Sequence, residues 1–264
     1  MERSRLKDIV ILILLLVNGF LLASVLLRQS GEQSLRARTE ADLSALCEAD
    51  GIHLDAELPA GSSPAGKVLR RSMEEDRTLA VSVLGSGLSV SDEGGGICAC
   101  SSDAGQAFFR ANGSFDITGH LRSGDAEAFC RKFCKDNGYR DLVFAEDGGS
   151  ASAVQYCENY PVANALVTFL LENGTLLSVS GTHLPSAASL SPEEGSMTAA
   201  TALTRFLEAR RASGAVVSRI SDIYPCYQLQ STTAVPMSLI PAWCIVTDTS
   251  VYYVNCLTGE VSHS

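Results

Sequence analysis

The sequence predicts an α+β fold: an N-terminal transmembrane helix, then an extracytoplasmic region of two helix-on-antiparallel-sheet modules. Three observations predict it. Residues 9–27 form an uncharged run of Leu, Ile and Val, close to the roughly 20 residues needed to cross a bilayer as a helix. Beyond it, two helical segments are each followed by long strands and a hairpin, with a spacing of about 70 residues that fits repeated modules rather than a short-repeat solenoid. Apolar residues make up 46% of the chain and charged ones only 19%, enough for a sizeable core.

The N-terminal run follows a short tail with Arg3, Arg5 and Lys7. It exceeds the apolar core of a cleaved signal peptide, and Leu26-Leu27-Arg28-Gln29 is a poor cleavage site. An uncleaved anchor is expected, with the N-terminus cytoplasmic and the bulk of the chain outside a cell membrane. Asn18 and Gly19 fall in the middle of the span. A buried amide there favours a hydrogen-bonding neighbour and glycine permits close helix approach, so both are candidate contacts with a partner's spans.

The pattern divides the chain into a tail at 1–8, the span at 9–27, a juxtamembrane helix at 28–50, a β-rich segment at 51–122 and modules at 123–185 and 186–264. Leu35, Leu43 and Leu46 recur among Glu and Arg, and Gly51 stops that helix. Residues 68–84, 88–90, 97–101, 107–110 and 114–118 read as strands, with a turn at 92–96 and a hairpin at Asn112-Gly113. A helix is expected over 125–137, with Asp125 as its N-cap and Gly138 as its stop. Strands follow at 142–145, 153–158 and 164–172, then the Asn173-Gly174 turn and the return strand 175–182. Ser191-Pro192-Glu193-Glu194 opens a second helix that Gly214 ends. Strands at 216–229, 242–248 and 251–257 complete the chain. The two hairpins finish on Gly181 and Gly259, which look equivalent.

In the last hairpin the pattern suggests that Cys244 faces Cys256, a possible disulfide. That register sets Val246 against Val254 and turns Trp243 and Tyr253 to the other face. Trp243 and Tyr253 then either fill a two-sided buried strand pair or form a partner-binding face, where aromatic residues are favoured. The nine cysteines are an odd number, so at least one thiol stays free or pairs between chains. Cys98-x-Cys100 and Cys130-x3-Cys134 admit disulfides, buried thiols or, least well, a metal, because zinc prefers pairs of cysteines on turns.

Other chemistry is thin. A net charge of −10 without basic clusters argues against nucleic acid. His53, His120, His183 and His263 are scattered, and Gly94-Gly95-Gly96 lacks the lysine and helix start of a phosphate loop. No nucleophile-elbow or zinc-protease motif occurs. The reading is of a non-enzyme without a cofactor.

Pro241, Trp243, Tyr252, Tyr253, Val254, Asn255, Thr258, Gly259, Glu260 and Val261 resemble the end of a PepSY-like module. The basic tail, the span with Asn18 and Phe20, the Glu/Arg-rich helix and Gly51-Ile52-x-Leu54 resemble the start of YycH/YycI-type proteins. That resemblance implies a membrane-anchored extracytoplasmic regulator of Gram-positive bacteria. Its implied partners are a WalK-like sensor histidine kinase of the WalK–WalR two-component system, a companion YycH-type protein, and the bilayer through residues 9–27. The alternative function is a cell-surface binding module for a peptide or cell-wall ligand.

Overall fold

The computed structural model describes residues 14, 17–22, 35, 37–123, 125–191, 196–232 and 235–264. The chain forms two compact units, Met1–Leu54 and Asp55–Ser264. In the first, α1 spans 37–49, Gly51 takes a left-handed φ of 71° just past its end, and β1 (His53–Leu54) follows. Most of the expected span at 9–27 lies outside the described residues. Residues 14 and 17–22 are helical, and no described helix is long and apolar enough to cross a membrane.

The second unit mixes α and β structure around one large sheet with few helices. It opens with β2 (Lys67–Leu69) and α2 (Met73–Leu84). A strand was expected over 68–84; most of it is helix. Glu74, Glu75 and Asp76 occupy the first turn, where the positive end of the helix dipole favours them. Leu79, Ala80, Val83 and Leu84 recur at helical spacing and are buried. This amphipathic spacing, with the acidic first turn, makes the segment a helix where a strand was expected.

A meander follows: β3 (Ser89–Gly94), β4 (Ile97–Ser102), β5 (Gly105–Phe109) and β6 (Ser114–Ser123), each antiparallel to the next. Next comes α3 (Ala126–Asp136), where the Asp125 carboxylate accepts from the Ala128 N–H at 2.9 Å, as the sequence predicts. Its meander is β7 (Tyr139–Phe144), β8 (Ser150–Cys157), β9 (Tyr160–Glu172) and β10 (Thr175–Thr182). The predicted Asn173-Gly174 turn joins β9 to β10 with φ of 51° and 75°.

After β11 (Ala188–Leu190) comes α4 (Ala199–Ser213). Its N-cap is Thr198, whose hydroxyl accepts from Thr201 N–H, and not Ser191. Pro192, Glu193 and Glu194 lie outside the described residues. Gly214 ends the helix in the left-handed conformation, as expected. The last meander is β12 (Arg219–Thr232), β13 (Val235–Thr247), β14 (Val251–Asn255) and β15 (Val261–His263).

Among the described residues, the unit therefore holds three successive sets of one helix and a four-strand meander. The sequence predicts helices for the second and third sets, while the helix of the first reads as a strand. β6 pairs with β10 antiparallel, fusing the first two sets around a core that includes Phe109, Phe115, Ile117, Phe133 and Phe169. The third set joins through a parallel contact of β12 with β9, registered at Tyr227 and Val162 alone.

A candidate binding cleft

That single registered pair has a cause in the sequence. Parallel pairing continued toward the strand starts would require backbone N–H groups at Pro161 on β9 and Pro225 on β12, and neither has one. On the other side, the Asn164 side chain replaces the ladder. Its Nδ2 donates to Leu229 O and its Oδ1 accepts from Leu229 N–H, each at 2.7 Å. The strands are thus tied at one end and part at the other, and a cleft of about 520 Å³ opens there.

Its walls include Tyr156, Tyr160 and Pro161 on one side and Tyr224, Pro225 and Tyr253 on the other. Tyr160 stands edge-on to the buried Tyr227, with ring centroids 6.0 Å apart. Tyr156 donates its hydroxyl hydrogen bond to Asp141 Oδ2 at 2.7 Å. The Arg140 guanidinium lies 4.7 Å from the Tyr156 ring centroid and donates to Glu158 O at 3.0 Å. Asp141 stands in a bulge of β7 at a positive φ of 56°, a conformation in which an aspartate is among the better-tolerated residues. Burial, then the bond to Asp141, holds the Tyr156 phenol above its ordinary range. Burial also raises the phenol of Tyr253.

Of the residues expected to meet a partner, Tyr253 lines this cleft, half-buried. Trp243 does not. It is 1% exposed, donates its indole N–H to Met197 O at 2.9 Å, and stands between Pro225 and Val254 on the flanking strands. Asn18 and Gly19 are exposed within helical residues 17–22, and no atom lies within 4 Å of a Cβ built on Gly19.

The register of the last hairpin differs from the expected one by three residues. Cys244 faces Tyr253, Trp243 faces Val254 and Ile245 faces Tyr252. A tight turn sets it: Thr247 N–H bonds to Ser250 O at 3.0 Å, and Ser250 N–H to Thr247 Oγ1 at 3.1 Å. An odd shift exchanges the faces. Trp243 therefore lies on the opposite face from Tyr253, and Tyr252 packs on Phe206 of α4 with ring centroids 4.9 Å apart. Cys244 and Cys256 are free thiols rather than a bridged pair. Cys256 N–H bonds to Pro241 O at the end of the hairpin, and its thiol lies by Ser63, whereas Cys244 neighbours Tyr224 and Tyr253.

Burial pushes the Cys244 thiol up to about 11, and that of Cys226, a residue of the cleft lining, well above its ordinary value. Since the thiolate is the reactive form, iodoacetamide at pH 8 should leave both unlabelled in the folded chain and label both after denaturation. Peptide mass spectrometry checks this. Native labelling of Cys226, which lines the cleft, would mean that the cleft wall opens to solvent there.

Cys98, Cys100, Cys130 and Cys134 are free and buried in the core around Phe133. Among the described residues, no group of three or more His, Cys, Asp or Glu could hold a metal ion.

The cleft itself was missed in the sequence, although a signal exists. The dipeptide Tyr-Pro occurs twice, at Tyr160-Pro161 and Tyr224-Pro225, and each proline interrupts a segment that otherwise continues as strand.

No family model matches the sequence, and no curated protein matches it. In structure, the chain is similar to an uncharacterized protein from Eubacterium rectale, with a TM-score of 0.45 and 11% identity over 81% of this chain and 86% of that one. It is similar to the C-terminal domain of YpeB from Bacillus megaterium, with a TM-score of 0.36 and 10% identity over 74% of this chain and 98% of that one. It is also similar to YycH from Bacillus subtilis, with a TM-score of 0.37 and 12% identity over 78% of this chain and 53% of YycH, about half that protein's length.

Proposed function

We propose that the chain is a membrane-anchored extracytoplasmic regulator that binds a sensor histidine kinase of a two-component system and changes its output without chemistry of its own. The observation that carries the reading is the tyrosine-walled cleft. Its volume of about 520 Å³ falls in the range of ligand sites. Its walls are large, stiff, amphipathic side chains, of the type that dominates binding energy. The basic tail, apolar run and Gly51-Ile52-x-Leu54 at the N-terminus support the anchored placement and the choice of a kinase. A protein of this kind regulates only by binding one conformational state of its partner better than the other.

The test is kinase output in cells, read as phosphorylated response regulator, with the chain present, deleted, or carrying Tyr156→Ala and Tyr253→Ala. Deletion should shift output, and the double variant should shift it the same way at an unchanged protein level. Equal output with and without the chain would sink the reading.

The same cleft favours a second reading, a surface module for a peptide or cell-wall ligand. In that case ligand capture would depend on the two tyrosines while kinase output would not.

A further inference from the structure

The cleft also carries information about what fills it. It forms a slot where β9 and β12, paired at Val162 and Tyr227, part at the prolines, with Asp141 of β7, Tyr156 of β8 and Tyr253 of β14 beside them. Tyrosine and proline walls suit the apolar and proline-bearing stretches of an extended chain. The charged group in the lining is one carboxylate, Asp141. Arg140 does not neutralise it by an ion pair; its guanidinium is turned to the Tyr156 ring and the Glu158 carbonyl. The Tyr156 hydroxyl holds the Asp141 carboxylate in place through Oδ2.

We propose that this slot binds an extended peptide segment of a protein partner that places a lysine or arginine against Asp141 and its apolar or proline residues against Tyr156, Tyr224 and Tyr253. The assignment rests on the reading of the chain as a binding regulator and specifies the chemistry of its site. Charge complementarity selects the occupant: the net charge of −10 and the carboxylate in the lining disfavour an acidic segment.

The test uses the full chain in lipid nanodiscs and an array of N-acetylated, C-amidated octapeptides. Their sequences are random apart from one fixed central position, set to Lys, Arg, Glu or Ala, with a proline two residues away. Lys and Arg members should be retained over Glu members. Asp141→Asn should remove that preference and weaken Lys members about fivefold, in keeping with a partly exposed ion pair. Asparagine tolerates the positive φ of this site, so the bulge is preserved. Tyr253→Ala should weaken all retained members about 30-fold.

Equal retention of Glu and Lys members, an unchanged preference in Asp141→Asn, or no retention by the wild-type chain would each overturn the assignment. Capture of the kinase by the same nanodiscs separates this from the broader reading. Capture that survives both variants overturns the slot as the partner's site and leaves the regulator intact. Lys-selective peptide binding without kinase capture keeps the slot and removes the kinase.

Discussion

Trp243→Ala should lower the melting temperature of the full chain by about 10 °C, from a loss of about 3–5 kcal/mol for an unfilled tryptophan site. Trp243 is 1% exposed and lies between Pro225 and Val254 on the neighbouring strands. The loss is one of packing. Met197 O, which accepts from the indole, also accepts from Ser63 N–H at 2.9 Å, so removing the ring leaves no unpaired carbonyl. Differential scanning calorimetry in detergent measures the effect. A melting temperature unchanged within a degree or two, with partner binding lost, would return Trp243 to the binding surface that the sequence also allowed. Tyr253→Ala should lower the melting temperature far less, because that side chain is already half-exposed at the cleft.

Gly181→Ala should destabilise the chain by about 3 kcal/mol or more, whereas Gly259→Ala should cost only about 1 kcal/mol. Gly181 is in β10 and pairs with Val167 on one side and Phe115 on the other. A Cβ built there meets Leu166 O at 2.2 Å and Val167 Cα at 2.7 Å. Those are backbone atoms in the middle of the sheet, so β10 must move away from β9 to admit a methyl group. Gly259 has room, since the nearest atom to its Cβ is Arg205 Nε at 3.6 Å, and its cost is the left-handed φ of 75°. Urea unfolding of the two variants side by side checks the ordering. Equal midpoints would show that the sheet yields at Gly181.

That contrast marks the boundary between what local sequence determines and what packing decides. The sequence reads the two glycines as equivalent hairpin ends, but Gly181 lies within β10 and Gly259 in the turn between β14 and β15. Strand pairing separates them: β9 and β6 close on Gly181 from either side.

The features that the sequence by itself determined depend on a few adjacent residues. Asp125 caps α3 because its carboxylate reaches an N–H three residues on. Asn173-Gly174 turns because both residues tolerate positive φ. Gly214 ends α4 for the same steric reason. Long-range competition decided the rest. Residues 73–84 satisfy either a strand-like or a helical pattern, and burial of Leu79 and Val83 against the first meander selects the helix. The β13–β14 register was set by hydrogen bonds between Thr247 and Ser250, and the three-residue difference placed Trp243 in the core and Tyr253 at the cleft. The cleft needs two Tyr-Pro dipeptides from separate helix-and-meander sets to meet. Each proline alone only interrupts a strand. Together, facing one another past Val162 and Tyr227, they remove the donors that would have closed the sheet, and only the tertiary structure brings them face to face.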